Sequence, residues 1–285
     1  MEKIILFYKF VPIIDPETVM FWQRALCDKY GLKGRVLISR HGINATLGGD
    51  LRNLKYYTRE MKAHSLFGEI TWKWSDGGEE HFPKLRVKIK DEIVAFGAAD
   101  EIVVTEKGII NGGKHLKPDA VHQLVKEKGD DVIFYDARNM YEAQIGRFKN
   151  TIIPNTRTSR DFKEDLENGE ISKHKDRPIV TYCTGGIRCE ILSAMMLNRG
   201  FKEVYQMDGG IVKYAEKFAD DGLWEGKLFV FDDRMQIGFS DNTKDIADCE
   251  TCGAKTSRQI NSTNIRRKLI VECEACAQYG KPLTA

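Results

Sequence analysis

The sequence predicts an α/β protein of three parts: an N-terminal α+β domain, a central domain with a doubly wound parallel sheet, and a cysteine-rich tail. Three patterns predict this architecture. Apolar periodicity follows the order βαββαβ over the first 95 residues, strands alternate with helices between residues 123 and 222, and two C-x2-C pairs lie near the end of the chain. A chain of 285 residues has room for two domains and a small appendage.

The composition is that of a protein that we expect in the cytoplasm, without a membrane partner. The chain is 42% apolar, but no apolar run approaches the roughly 20 residues that span a bilayer, and the first residues lack a signal-peptide pattern. Seven cysteines, an odd number, favour thiol or metal chemistry over a disulfide framework. A net charge of +2 does not indicate nucleic-acid binding by itself, so such binding depends on local patches.

The N-terminal domain, expected at residues 1–95, begins with a strand and a capped helix. Asp15 supplies the N-cap, and Pro16 and Glu17 suit the first helical turn. The order of the elements predicts a ferredoxin-like unit. We expect strands at 3–11, 34–39, 45–47 and 70–74, and helices at 16–30 and 50–64.

A further strand, predicted at residues 82–94, carries its charges on one face. Leu85, Val87 and Ile89 alternate with four cations, so one face is apolar and the other basic. The basic face is either a solvated surface or a surface that contacts a phosphate backbone, since alternate residues of a strand are about 7 Å apart. The candidate RNA-contacting residues are Lys84, Arg86, Lys88 and Lys90.

The central domain is expected at residues 123–222, after a basic linker at 96–122. Strands that alternate with helices form a parallel sheet, and its functional site lies at the carboxyl ends of the strands. Cys183 directly follows one of these strands, where that rule places a site. Buried strands are predicted at 131–136, 178–182 and 203–207.

Cys183 begins a glycine-containing loop that leads into a helix predicted at 190–199. Glycines let backbone N–H groups converge on one point, and the helix N-terminus adds positive potential there. A thiolate at this point has a lowered pKa and is a competent nucleophile, with Arg188 as a nearby cation. The spacing C-x4-R is one residue shorter than the loop of cysteine phosphatases, which suits a single sulfur. The expected sulfur-anion cradle consists of Thr184, Gly185, Gly186 and Ile187.

The tail, expected at 223–285, has the cysteine spacing of a zinc ribbon. Four thiolates in two C-x2-C pairs bind Zn²⁺ tetrahedrally and stabilise a segment too small for a core of its own. Free thiols are the alternative. The predicted ligands are Cys249, Cys252, Cys273 and Cys276, and the basic residues between the pairs, predicted as further RNA contacts, are Arg258, Arg266 and Arg267.

Several motifs resemble those of a known family. The run CTGGIR from Cys183 to Arg188 is similar to the six-residue cysteine loop of rhodanese-like domains, and Asp136, Arg138 and Glu142 resemble the acids and arginine after their second strand. Together the motifs resemble the bacterial tRNA uridine(34) hydroxylases that contain a rhodanese domain. The other matching stretches are GIN at 42–44, FPKL at 82–85, GRF at 146–148 and FVFDDR at 229–234.

The resemblance implies an oxidoreductase whose substrate is tRNA and whose co-substrate is molecular oxygen. Its product is 5-hydroxyuridine at the wobble position, and Cys183 corresponds to the essential cysteine, a persulfide carrier by analogy with rhodanese. Two routes are open: Cys183 adds to C6 of uracil and makes C5 electron-rich, or a Cys183 persulfide activates oxygen. Cys189 either resolves an oxidised Cys183 or is a buried helix residue.

Two other classes of protein fit part of the sequence. A persulfide sulfurtransferase acting on a small acceptor accounts for the central domain but leaves the cationic strand without a task. A non-catalytic RNA-binding protein would use the same basic surfaces, although the intact Cys183 and Arg188 argue against it. Mass spectrometry of tRNA nucleosides with and without this protein is the most informative single measurement, because only the hydroxylase forms 5-hydroxyuridine.

Overall fold

The N-terminal domain is a five-stranded sheet with two helices packed on one face. The computed structural model describes residues 1–262 and 268–279, except for the side chain of Tyr279. The elements of this domain are β1 (Glu2–Phe10), α1 (Pro16–Lys29), β2 (Lys33–Ser39), β3 (Gly42–Asp50), α2 (Leu51–Ala63), β4 (Lys73–Asp76) and β5 (Leu85–Ile89).

The strand order of this sheet is β4-β1-β3-β2-β5, with β5 parallel to β2 and the other pairs antiparallel. The βαββαβ order predicted from the sequence is confirmed, and β5 extends the unit. β5 is shorter than the strand predicted at 82–94, because β2, with which it pairs, ends at Ser39. Side chains alternate along β1, so Ile5 and Phe7 pack against the helices while Leu6 and Tyr8 face the central domain.

The central domain is built on a five-stranded, all-parallel sheet. Helices cover both faces of this sheet, as the predicted doubly wound architecture requires. Its elements are β8 (Lys114–Leu116), α3 (Pro118–Lys128), β9 (Ile133–Asp136), α4 (Met140–Gln144), β10 (Gly146–Phe148), β11 (Thr151–Ile152), α5 (Phe162–Asn168), β12 (Pro178–Tyr182), α6 (Ile187–Asn198), β13 (Glu203–Met207) and α7 (Gly210–Phe218). The strand order of the sheet is β11-β9-β12-β13-β8. Helices α5 and α6 pack in one hydrophobic cluster, and α3 and α7 pack in the other.

The segment expected as a linker, 96–122, contains structure of its own. It includes a short hairpin of β6 (Val104–Thr105) and β7 (Gly108–Ile109), and then β8, the edge strand of the parallel sheet. Lys114 and His115 of β8 are exposed, because an edge strand is paired on one side, and the sequence therefore lacks the apolar pattern of a buried strand.

The tail packs against the central domain and ends in a small hairpin. The first strand of the tail pairs antiparallel with β10 and so joins the tail to the central domain. Trp224 on that strand is buried in the core of the central domain. Among the described residues, no helix is long and apolar enough to cross a membrane. The elements of the tail are β14 (Trp224–Gly226), β15 (Leu228–Phe229), β16 (Gln236–Ile237), β17 (Gln259–Asn261), β18 (Leu269–Val271) and α8 (Glu274–Tyr279).

Candidate active site

The Cys183 loop joins β12 to α6 at the carboxyl edge of the parallel sheet. All five residues of β12 are buried, and Cys183 directly after them is buried as well. Gly186 has a left-handed φ of +95° and donates its backbone N–H to Cys183 Sγ at 3.1 Å. A side chain at Gly186 would be strained, and its Cβ would lie 3.1 Å from the hydroxyl of Tyr8. Glycine therefore allows the loop to close tightly around the sulfur.

Helix α6 begins at Ile187, earlier than the start predicted at residue 190, so Arg188 and Cys189 lie in its first turn. This early start changes which backbone amides reach the sulfur. In the described part of the chain they are those of Gly186, Arg188 and Cys189, whereas the sequence suggested a cradle that includes Gly185 and Ile187. The first helical turn therefore supplies part of the cradle.

The environment of Cys183 favours its thiolate. Burial raises the pKa of the thiol, but a hydrogen bond with Cys189, the charge of Arg188 and backbone N–H groups together lower that pKa to about 5. Burial and the neighbouring Cys183 raise the pKa of Cys189, so Cys189 stays protonated and donates to the sulfur anion. Cys189 is therefore a buried helix residue that also contacts Cys183, and its role in resolving an oxidised Cys183 stays a prediction.

Arg188 is held by a buried carboxylate from α4. Its Nη1 and Nη2 donate to Oε1 and Oε2 of Glu142 at 2.6 and 2.8 Å, and Nη2 also lies 3.3 Å from Thr184 Oγ1. Such a two-point contact fixes the plane of the guanidinium. The guanidinium of Arg188 therefore acts on Cys183 through its charge, while its side-chain hydrogen bonds go to Glu142 and Thr184.

A second buried ion pair lies behind the first. Arg138 donates to both carboxylate oxygens of Asp136 at 2.9 and 2.6 Å, and its Nη1 lies 3.3 Å from the backbone carbonyl of Glu142. The backbone N–H of Asn139 donates to Glu142 Oε1 at 3.0 Å. These contacts determine where Glu142 lies and, through it, where Arg188 lies.

The N-terminal domain covers the loop with residues that no sequence motif assigns to the site. The Tyr8 hydroxyl donates to Oε1 of Glu190 at 3.0 Å, and a Cβ at Gly185 would lie 2.7 Å from Leu6 Cδ2. Both contacts come from the face of β1 that points away from its own helices. Strand alternation indicates that this face exists, but no local signal predicts which distant loop it covers.

Lys73 on β4 is a buried cation beside the same loop. It is 3% exposed, its Nζ lies 4.8 Å from the centroid of the Tyr8 ring, and it forms no ion pair with any residue of the described chain. Burial lowers its pKa to about 8, although the nearby Cys183 opposes that shift. Lys73 therefore exchanges a proton near neutral pH more readily than an exposed lysine.

The loop borders a cavity of about 460 Å³ between the N-terminal sheet and the central domain. Cavities of about 300–1,000 Å³ are typical of small-molecule and nucleotide sites. Its walls combine the sulfur, cations, one aromatic ring and the carboxylates of Asp91 and Glu92. They include Arg35, Asn44, Thr46, Lys90, Arg160, Cys183, Thr184, Arg188 and Phe231.

The cationic strand leads toward this cavity. Lys84, Arg86 and Lys88 are exposed along a groove of about 430 Å³, and Lys90 lines the Cys183 cavity itself. The opposite face is apolar as predicted, but its last residue, Ile89, is 38% exposed at the end of this edge strand.

Arg258 of the tail, unlike the cations of β5, has an acidic residue beside it. Arg258 Nη1 donates to the backbone carbonyl of Glu272 at 3.1 Å and lies 4.0 Å from its carboxylate, so its charge is partly compensated within the tail. Arg266 and Arg267 lie outside the described residues.

The four tail cysteines form one cluster. Their sulfur atoms all lie within 4.8 Å of one another, and Cys252 Sγ is 3.6 Å from Cys273 Sγ. A tetrahedral site with Zn–S bonds of about 2.3 Å requires S–S separations of about 3.8 Å, which this cluster approaches. The cluster therefore fits a metal ion. Its members are Cys249, Cys252, Cys273 and Cys276.

The parallel sheet and the cysteine loop define a rhodanese-like domain, flanked here by an acylphosphatase-like domain and a cysteine-rich tail. Three family descriptions match the chain: "UPF0176 acylphosphatase like domain" at residues 2–93, "Rhodanese-like domain" at 117–217 and "Rhodanase C-terminal" at 225–283. Among solved structures, the polysulfide-sulfur transferase of Wolinella succinogenes is 25% identical, with a TM-score of 0.29, over 37% of this chain and 74% of that chain. The acylphosphatase of Bacillus subtilis is 15% identical, with a TM-score of 0.26, over 31% of this chain and 99% of that chain.

Similar proteins cover almost the whole chain. The tRNA uridine(34) hydroxylase of Corynebacterium diphtheriae is 54% identical over 290 residues, covering 99% of this chain and 92% of that protein. The tRNA uridine(34) hydroxylase of Arthrobacter sp. (strain FB24) is also 54% identical, covering 99% of this chain and 97% of that protein. This chain belongs to the tRNA uridine(34) hydroxylase family.

Proposed function

We propose that this protein forms 5-hydroxyuridine at position 34 of tRNA, with molecular oxygen as co-substrate. The observation that carries the proposal is the Cys183 sulfur, favoured as a thiolate, on the wall of a cavity of nucleotide size. The relatives are named for the same activity, which supports it. A tRNA substrate implies that the protein acts in the cytoplasm.

The reaction replaces the hydrogen on C5 of uracil with a hydroxyl group. One atom of O₂ enters the base, and the other leaves as water after taking up two electrons and two protons from a reductant. Cys183 acts either by adding to C6, which makes C5 electron-rich, or as a persulfide that activates oxygen. Both routes start from a sulfur anion, so the lowered pKa of Cys183 serves either one.

The surrounding residues stabilise that anion and position it. The Gly186 amide and the charge of Arg188 stabilise negative charge on sulfur, and Glu142 positions Arg188. Lys73 adds a second cation, or a proton donor, from the N-terminal domain. The site therefore requires both domains.

The cationic strand is the proposed path of the tRNA backbone. Lys84, Arg86 and Lys88 are exposed and form no ion pair with the described residues, and Lys90 continues the row into the cavity. Phosphates bound along this row would direct one nucleotide toward Cys183. Arg258 contributes less to such a surface, because Glu272 already accepts its hydrogen bond.

We also propose that the tail binds one structural zinc ion. The four sulfur atoms are close enough to act as ligands together, and a hairpin as short as β17–β18 has little apolar core of its own. Zinc would hold this hairpin against the central domain.

The test is mass spectrometry of nucleosides from tRNA incubated with the protein under isotopically heavy oxygen gas. We expect 5-hydroxyuridine that carries one heavy oxygen atom, and none with the Cys183→Ser variant. Cys189→Ser should lose less activity, since the cradle is centred on Cys183. If no 5-hydroxyuridine forms while sulfur passes from thiosulfate to cyanide, the protein is a sulfurtransferase. If neither reaction occurs and tRNA still binds, it is a non-catalytic RNA-binding protein.

A further inference from the structure

Phe231 is a partly exposed aromatic residue at the edge of the Cys183 cavity. Its exposed fraction is 52%, and the turn that carries it is held in place by ionic contacts. Arg234 donates to both carboxylate oxygens of Asp232 at 2.7 and 2.6 Å, and its Nη1 donates to the backbone carbonyl of Asp76 at 2.5 Å. The ring is therefore kept at the surface by a turn that is attached to the N-terminal domain.

The ring is directly connected to the catalytic loop. The Arg188 guanidinium carbon lies 5.7 Å from the centroid of the Phe231 ring, a distance suitable for a cation–π interaction. Phe229 packs against Phe231 edge to face, with centroids 5.1 Å apart, and Tyr141 packs against Phe229 at 5.3 Å. A row of aromatic rings thus begins beside Arg188 and continues into the protein.

Phe231 also separates the Cys183 cavity from a second, larger one. The second cavity has a volume of about 810 Å³ and lies between the central domain and the tail. The two cavities share five wall residues, so they lie side by side in one interdomain cleft, with Phe231 between them. The shared residues are Ala95, Asn139, Ser159, Arg160 and Phe231.

Cations line both cavities, beside the acidic Asp91, Glu92 and Asp232. Arg35 and Lys90 line the Cys183 cavity, Arg157 lines the second cavity, and Arg160 lines both. Within the part of the chain that the structure describes, none of these four forms an ion pair with a carboxylate. An anionic chain would compensate all four charges.

We propose that Phe231 is the platform on which the target pyrimidine stacks, and that the second cavity receives the neighbouring nucleotides of the same single strand. This inference rests on the proposed function and assigns the residues that would hold the base. An exposed aromatic ring within a cationic groove is the arrangement that binds unstacked bases of single-stranded RNA. Stacking on Phe231 would place the base beside Arg188 and the wall that contains Cys183.

The test measures binding alone and compares two RNA ligands. One is a short single-stranded RNA with a central uridine, and the other has an abasic site at that position. Loss of one stacked base weakens binding by about 10- to 100-fold, so wild-type protein should prefer the intact RNA by that factor. Phe231→Leu should remove most of the preference, whereas Phe231→Tyr, which keeps the aromatic face, should retain it.

Phe21 provides a matched control. It is 62% exposed and lies on α1, which packs on the opposite face of the N-terminal sheet. Phe21→Leu should keep the wild-type preference for intact RNA. Thermal unfolding of each variant checks that the fold is retained.

Two results would overturn the inference: a wild-type protein that binds the intact and abasic RNAs equally, or a folded Phe231→Leu variant that keeps the wild-type preference. Kinetics give a second readout, since a lost stacking contact should raise KM for tRNA more than it lowers kcat. Because the binding test needs no turnover, failure of the proposed function is separate. It would appear as absence of 5-hydroxyuridine with the wild-type protein while the stacking preference persists.

Discussion

Arg188 and Glu142 form a two-point ion pair beneath the cysteine loop, with N–O distances of 2.6 and 2.8 Å and both side chains buried. Removing one partner of a buried pair leaves an uncompensated charge, which costs about 3–5 kcal/mol. We expect Arg188→Met to lower the free energy of unfolding by that amount, measured by urea denaturation. The double variant Arg188→Met/Glu142→Gln should regain most of the stability, because neither of these two positions then carries an uncompensated buried charge.

The same two variants separate stability from chemistry. The pKa of Cys183 should be raised in both, since both lack the Arg188 cation that favours the thiolate. The pH dependence of Cys183 alkylation measures this pKa. A double variant that regains both stability and the wild-type alkylation profile would show that Arg188 has only a structural role.

Alkylation of wild-type Cys183 should itself follow a low pKa. We expect the rate of reaction with iodoacetamide, followed by peptide mass spectrometry, to have a midpoint near pH 5. Cys189→Ala removes a hydrogen-bond donor to the sulfur and should move the midpoint upward, whereas Cys189→Ser keeps a donor and should move it less. Equal shifts in both variants would contradict the assigned role of the Cys189 thiol.

Lys73 should reduce stability at neutral pH. Its pKa is about 8 in the folded protein and 10.5 for an ordinary lysine, so below pH 8 it is charged in both states and the folded state bears the cost of burial. As the pH rises from 8 to 10.5 that cost disappears. We expect Lys73→Met to increase the free energy of unfolding at pH 7 by about 1–3 kcal/mol, and by less at pH 10.

Lys55→Met is the control for this prediction, because Lys55 is exposed on α2. Its effect should stay within about 0.5 kcal/mol at both pH values. A Lys73→Met variant that is less stable than wild type at pH 7 would mean that the ammonium group has a compensating partner.

The cationic strand predicts salt-dependent tRNA binding. Replacing Lys84, Arg86 and Lys88 with Gln should weaken binding and reduce the slope of log affinity against log salt by up to about one unit for each lost contact. A filter-binding titration over a range of salt concentrations measures both quantities. The apolar side chains of β5 are unchanged, so the strand should still pair with β2.

A triple change on α2 has the same effect on net charge. Lys55, Arg59 and Lys62 are exposed on the helical side of the same sheet, and their replacement with Gln should leave the slope unaltered. Equal losses in the two triple variants would indicate that only net charge matters, and no loss in either would leave the β5 face merely solvated.

The cysteine cluster predicts zinc in the purified protein. Metal analysis should find about one equivalent of zinc, and chelation should increase hydrogen exchange in the tail without unfolding the central domain. Cys276→Ser should lower the zinc content, while Cys189→Ser, which lies outside the cluster, should not. The assignment would be contradicted if protein prepared under reducing conditions contained no zinc and its tail were still protected from hydrogen exchange.

The sequence alone determined the order of elements, the α/β class, the cysteine loop after a buried strand and the spacing of the four tail cysteines. These are local features. Strand alternation, glycines and C-x2-C spacing depend on residues close together in the chain, so they can be recognised before the chain is folded. Even so, the exposed β8 escaped recognition, because an edge strand lacks a clear apolar pattern.

Tertiary structure decided which distant residues meet at Cys183. Tyr8 and Lys73 come from strands more than a hundred residues earlier, and Phe231 comes from the tail. Periodicity indicates which face of a strand is buried, but it does not identify the domain that buries it. In the sequence, a lysine such as Lys73 predicts a solvent-exposed position. Only the packing of the N-terminal domain on the central domain places its charge beside the cysteine loop, where burial lowers its pKa.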